Sequence, residues 1–120
     1  MVNLSVEEKR AMCQTLAEHL PKIRELLGTT QETFGDLCGL SRITISRIEN
    51  GSARMKWSHL TSVLFVCAIN RRTKEYFYAN DLLGTRFLQF MQQKDDNIPP
   101  ETNIVVDIDR LRAFVKDGTL

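Results

Sequence analysis

The chain has 120 residues, of which 42% are apolar and 26% charged, and its formal net charge is +1, which predicts one globular domain or one domain with an appendage. The longest apolar run, 63–69, is far shorter than the ~20 residues that cross a bilayer, and the polar N-terminus lacks the pattern of a secretory signal. From these features we expect a cytoplasmic protein, and neither a membrane protein nor a secreted one.

The N-terminal region predicts helix. Ser5 and Glu8 have the spacing of a capping box, and apolar residues then recur at helical spacing. Pro21 interrupts this run, where it either kinks one long helix or begins a second one. We expect two helices, 6–19 and 21–27.

Two short helices follow. Thr30 is a suitable N-cap for a helix over 31–38, and Gly39 can adopt the positive φ of a sharp turn. Ser41 is a suitable N-cap for the next helix, over 42 to 49 or 50, because Asn-Gly follows as a stop signal.

The segment 57–69 is apolar on most sides, which predicts a helix in the middle of the core. Trp57 is expected to be a core anchor at its start, in preference to a ligand-stacking residue. We expect Thr73 to cap a further helix, and Asn80 and Asp81 to divide the next region into two helices.

The C-terminal third contains more apolar helical faces. One face is expected to carry Leu83, Phe87, Phe90 and Met91. The segment 94–102 predicts a loop, followed by an extended piece near 104–106 and a terminal helix over 108–117 that ends at Gly118.

Charge is distributed unevenly along the chain. Residues 40–74 carry seven basic side chains and one acidic one, whereas the segments before and after them have net charges of −2 and −3. Such a block is typical either of a solvated surface or of a face that binds a polyanion.

Enzymatic and metal-binding functions lack support in the sequence. The three cysteines, Cys13, Cys38 and Cys67, lie on apolar helical faces, and we interpret them as buried reduced thiols in preference to disulfide or metal ligands. We identify no carboxylate pair, metal cluster or catalytic triad, so we expect neither an enzyme nor a cofactor.

The two short helices fit the geometry of a helix-turn-helix. Two helices that cross steeply need a small residue at the crossing, here Gly35, and a flexible one at the corner, here Gly39. They also need apolar anchors on their inner faces, and these are Phe34, Cys38, Leu40, Ile45 and Ile48.

The segment 30–51, TQETFGDLCGLSRITISRIENG, resembles the helix-turn-helix of the phage-repressor-like, or Xre, family of bacterial and phage transcription regulators, including its Thr-Gln opening and Glu-Asn-Gly close. A looser similarity extends over about 20–70. The resemblance implies an all-α fold, with a compact five-helix DNA-binding domain over 20–72. An N-terminal extension helix, 1–19, and additional C-terminal helices, 73–120, would flank it.

The second short helix has the composition of a base-reading helix. With Ile45 and Ile48 pointing inward, the expected base-reading residues are Arg42, Ile43, Thr44, Ser46 and Arg47. An arginine can donate two hydrogen bonds to guanine, and the methyl groups of Ile43 and Thr44 can contact thymine. Arg42 could instead clamp a phosphate.

Phosphate contacts are expected from Gln31, Ser41, Asn50, Arg54 and Lys56. The resemblance implies those of Gln31 and Asn50. Two positions depart from the family pattern, since Ser52 stands where a basic residue is common and Lys56 where a capping serine is common. Glu49 is expected to form an internal pair, with a local arginine as the candidate partner, and not to face DNA.

We therefore expect a sequence-specific double-stranded-DNA-binding transcriptional regulator that represses its target. A homodimer formed through 76–91 and 108–117 is expected, unless those residues only enlarge the core. The alternatives are an autoregulating antitoxin whose C-terminal region binds a partner protein, and an interaction module that has lost DNA binding.

Overall fold

A computed structural model of the chain describes residues 1–82 and 84–116. Within those residues the helices are, in chain order, α1 (Val6–Leu27), α2 (Gln31–Cys38), α3 (Arg42–Asn50), α4 (Trp57–Ile69), α5 (Arg71–Ala79), α6 (Thr85–Met91) and α7 (Ile108–Lys116). This part of the chain contains no β-strand, and the predicted all-α fold is confirmed. No helix described is long and apolar enough to cross a membrane. The predictions for Leu83 and Gly118 lie outside the described residues.

The N-terminal helix is continuous, and the prediction of two helices, 6–19 and 21–27, is wrong. Pro21 lies inside α1 and has no N–H to donate to the carbonyl four residues earlier, which costs ~3 kcal/mol or more in a helix interior. Its neighbours Leu20 and Ile23 are fully buried. Burying such side chains contributes ~1.5–3 kcal/mol each, which offsets the lost hydrogen bond and keeps the helix in one piece.

The first three helices begin at the predicted caps. The hydroxyl groups of Ser5, Thr30 and Ser41 each accept a hydrogen bond from the backbone N–H three residues later, at 3.0–3.1 Å. These bonds satisfy N–H groups that have no partner within the helix. Gly28 and Gly39, which end α1 and α2, have φ angles of 65° and 72°, a region that favours glycine.

Helices α2 and α3 cross at Gly35, as predicted. A Cβ atom on Gly35 would overlap the carbonyl oxygen of Leu40, and the backbone N–H of Leu40 donates to the Gly35 carbonyl at 2.8 Å. Phe34 on α2 and Ile45 on α3 are fully buried beneath this crossing. The absent side chain is therefore what allows α3 to approach α2 closely.

Helix α4 has the predicted bounds, but it does not lie wholly in the core. Phe65 and Ile69 are 64% and 45% exposed, so the prediction is wrong for this face, because the other helices cover only the side that carries the buried Leu60 and Val63. Trp57 anchors the start of α4 as predicted, with its ring centroid 5.9 Å from that of Phe87.

Thr73 does not cap α5, contrary to the prediction. The helix begins at Arg71, and Thr73 lies buried in its first turn. Its hydroxyl donates to the carbonyls of Cys67 at 2.8 Å and Asn70 at 3.0 Å. A buried hydroxyl needs such a partner, and here it fastens α5 to the end of α4. The predicted break at Asn80 and Asp81 is present between α5 and α6.

The C-terminal segment after α6 is held by the side chains of Gln89 and Lys74. The Gln89 amide donates to three carbonyls of the loop, those of Asp95, Asp96 and Ile98, at 2.8–3.3 Å. Further along, Lys74 donates to the Ile104 carbonyl at 3.0 Å. The tail therefore follows α5 and α6 before α7 begins.

Candidate nucleic-acid interface

Helix α3 presents one face to the core and the other to solvent. Ile45 and Ile48 are buried, as predicted. On the outer face Arg42 and Arg47 are exposed, and Ile43 is 55% exposed. This face therefore combines one exposed apolar side chain with two guanidinium groups.

The two arginines of this face are free to bind a ligand. Among the described residues, the guanidinium groups of Arg42 and Arg47 form no hydrogen bond or ion pair. Each can donate bidentate hydrogen bonds in the fixed fork geometry of a guanidinium group. The outer face therefore carries two charges that no described residue neutralises.

The smaller polar residues at and after the N-cap of α3 are more involved in contacts within the protein. The hydroxyl groups of Ser41 and Thr44 lie 2.8 Å apart, and Ser41 also caps the helix. A phosphate contact by Ser41 would therefore share its hydroxyl with the cap. Thr44 and Ser46 are half-buried, at the edge of the face that carries Arg42 and Arg47.

A partly buried ion pair fixes the C-terminal end of α3. The Arg24 guanidinium on α1 donates to both carboxylate oxygens of Glu49, at 2.6 and 2.8 Å, and this contact raises the pKa of Arg24. The Glu49 side chain is only 8% exposed. The predicted internal pair is confirmed, but its partner is Arg24, 25 positions away, and not a local arginine.

Gln31 joins the same network. Its side-chain amide donates to Glu49 at 3.1 Å, so the beginning of α2 lies beside the end of α3. This contact brings the predicted phosphate residues Gln31 and Asn50 to the same end of α3. Ser41 lies at the opposite end, about 14 Å from Asn50 along the helix axis.

The turn after α3 is shaped by Asn50. Its side-chain oxygen accepts the Ser52 N–H at 2.9 Å, and Gly51 has a φ of 82°. The Asn50 amide nitrogen makes no hydrogen bond within residues 1–82 or 84–116, so its donors are available. Ser52, at a position where the family commonly has a basic residue, is used for this turn.

Arg54 and Lys56 extend from the loop between α3 and α4. Both are exposed, and neither forms an ion pair in the described part of the chain. Lys56 precedes α4 where a capping serine is common, and the cap comes instead from His59, whose Nδ1 accepts the Lys56 N–H at 3.1 Å. Burial, with a smaller effect of the Lys56 charge, lowers the pKa of His59.

The three cysteines are buried free thiols, as predicted. Burial raises the pKa of Cys38 to about 11 and that of Cys67 to about 12, so both are protonated near neutral pH and are poor metal ligands. The described residues include no cluster of three or more potential metal ligands.

Comparison with known proteins gives one match. Residues 22–55 match the family model described as helix-turn-helix, a range that runs from the last turns of α1 to the loop after α3. No curated protein and no solved structure matched the chain. Residues 22–55 are thus similar to helix-turn-helix domains of the Xre/Cro-like type, and this similarity supports DNA binding by that segment.

Proposed function

We propose that the protein is a sequence-specific transcriptional repressor that reads the major groove of double-stranded DNA with α3. The observation that carries this proposal is the outer face of α3, where two arginines that have no ion-pair partner among the described residues flank an exposed isoleucine. An α-helix fits the major groove, and each base pair presents a distinct pattern of donors, acceptors and methyl groups there. A small domain that occupies a promoter in this way blocks transcription without further parts.

In this proposal Arg47 donates two hydrogen bonds to a guanine, and Arg42 reads a second base or binds a phosphate. Ile43 and the methyl group of Thr44 contact thymine methyl groups, and Ser46 reads a base edge at the rim of the face. The ion pair of Glu49 supports this arrangement because it holds α3 in one orientation.

The phosphate contacts set the register of α3 on the duplex. We assign them to both ends of the reading helix and to the loop that follows it, through Gln31, Ser41, Asn50, Arg54 and Lys56. Gln31 lies at the start of α2, where the helix dipole favours an anion. Arg54 and Lys56 supply charge that is independent of base sequence.

We further propose that the repressor binds as a homodimer through its C-terminal region. Exposed large apolar side chains are concentrated there, and each is at least 41% exposed; they are Ile104, Val105, Val106, Ile108 and Leu111. A two-fold pair would read a palindrome with half-sites about 34–36 Å apart. A sedimentation experiment at micromolar concentration that shows only monomer would rule this pairing out.

A selection of random duplexes against the purified protein tests the reading role of α3. We expect a palindromic consensus for the wild type. For Arg47→Ala we expect a loss of ~1–3 kcal/mol in binding free energy on that site, with relaxed preference at one base pair in each half-site. Arg72→Ala is the matched control, because it removes an exposed arginine of α5. An unchanged consensus for Arg47→Ala would exclude Arg47 from base reading.

A further inference from the structure

A cleft of about 590 Å³ separates α1 from the loop after α3. One wall is the middle of α1, with Arg10, Gln14 and Glu18 at successive turns of one helix face. The other wall is the end of α3 and the loop, including Asn50 and Arg54. This α1 cleft lies next to the end of the reading helix, yet its first wall is outside the 22–55 helix-turn-helix match.

The charges of the α1 cleft favour an anion. Arg10 and Arg54 face it from opposite walls, and within the described residues neither forms an ion pair or a side-chain hydrogen bond. Glu49 also lines it, but Arg24 neutralises its charge. Glu18 is then the one carboxylate in the lining without a cationic partner among those residues, which leaves a net charge of +1.

Its position suits the backbone of a duplex bound by α3. Asn50 and Gly51, which end α3, form part of the lining. The Asn50 amide has free donors at this edge, as described above. We expect a strand that leaves the major groove past Asn50 to reach this edge of the cleft.

We propose that the α1 cleft binds a DNA backbone phosphate between Arg10 and Arg54, so that the N-terminal half of α1 extends the DNA-contacting surface beyond the helix-turn-helix domain. The inference rests on the proposed function, since it requires a duplex on α3. Arg10 adds affinity for all sequences in this arrangement, because a phosphate contact carries no base information.

Salt dependence measures the contact directly. Each neutralised phosphate adds about 0.9 to the slope of log affinity against log salt. For a mixed-sequence duplex of about 30 base pairs, we expect the slope to fall by about 0.9 in Arg10→Ala. The affinity ratio of wild type to Arg10→Ala should therefore shrink about 3.5-fold between about 50 and 200 mM salt.

Two further variants sharpen the test. Glu18→Gln removes the unpaired carboxylate of the cleft and should raise affinity for the same duplex at low salt. Arg72→Ala removes one exposed arginine of α5 that does not line the cleft, and its slope should stay closer to that of the wild type. Arg10 is exposed, so its variant should keep the wild-type circular dichroism and melting temperature.

The outcomes separate this inference from the proposed function. If Arg47→Ala relaxes base preference while Arg10→Ala leaves the slope unchanged, α3 reads DNA and the cleft does not bind it. Equal slopes for Arg10→Ala and Arg72→Ala would also overturn the inference, because they indicate a general effect of net charge. If the wild type binds no duplex at any ionic strength, the proposed function itself fails.

Discussion

The Arg24–Glu49 ion pair gives the sharpest test of how α3 is held. Arg24→Met keeps much of the side-chain stem but removes both hydrogen bonds to Glu49. Glu49 is 8% exposed, so its carboxylate would remain largely out of water with only the Gln31 amide as a described partner. Removing one partner from such a pair leaves a charge that the protein does not compensate.

The magnitude follows from the burial of the two side chains. Breaking a buried pair costs about 3–5 kcal/mol, and Arg24 is 21% exposed, so we expect the lower end, about 3 kcal/mol. At about 4 °C per kcal/mol for a chain of this length, the melting temperature should fall by about 12 °C. Urea unfolding followed by circular dichroism and Trp57 fluorescence measures the free energy.

A matched control lies on the same helix. Lys22 and Glu25 form an exposed pair at 3.6 Å, with side chains 50% and 72% exposed, so Lys22→Met should cost less than about 1 kcal/mol. The double variant Arg24→Met with Glu49→Gln should recover part of the loss, because an amide carries no charge. If Arg24→Met is no more destabilising than Lys22→Met, the pair does not hold α3.

Two further changes test the crossing of α2 and α3 and the cap of α4. Gly35→Ala should lower the free energy of unfolding by at least about 2 kcal/mol in urea titrations. The reason is that the added methyl group would overlap the Leu40 carbonyl oxygen. A loss below about 0.5 kcal/mol would contradict the close approach of the two helices. Because the pKa of His59 is lowered in the folded protein, its neutral form stabilises the fold. This stabilisation is present at pH values above the unfolded-state pKa of 6.5 and is lost as the pH falls below that value. His59→Asn, which can accept the Lys56 N–H but does not titrate, should flatten this part of the stability–pH curve, and an unchanged curve would show that another group is responsible.

The helix-turn-helix could be predicted from the sequence because its determinants are local. Thr30 and Ser41 cap the helices that follow them, and Gly35 and Gly39 meet steric demands set within one short segment. Each of these residues contacts groups within five positions of itself. Such local interactions predict the same structure regardless of the rest of the chain.

Where the predictions are wrong, contacts between separate helices override the local pattern. Pro21 favours a break, yet burial of Leu20 and Ile23 keeps α1 continuous. Phe65 belongs to an apolar helix, yet the packing of its neighbours leaves it 64% exposed. Neither outcome is visible until the helices are assembled.

The sequence also did not reveal which residues from other helices contribute to the interface. Glu49 indicated that a cation was needed, but Arg24 is 25 positions away and competes with other arginines for that role. No sequence pattern indicated a role for Arg10, because the α1 cleft forms only where the loop after α3 folds back against α1. Long-range placement therefore decides which charges face DNA.

The continuity of α1 connects these observations. Arg24 and Arg10 are 14 residues apart on one helix, about 21 Å along its axis, and both lie beside the far end of α3, one through Glu49 and the other through the cleft. A break at Pro21 would release the first half of α1 from the rest of the helix while leaving the Arg24 contact intact. The packing that keeps α1 continuous through Pro21 is therefore also what brings Arg10 opposite Arg54. The same burial that stabilises the core thus determines how far the proposed DNA-contacting surface extends.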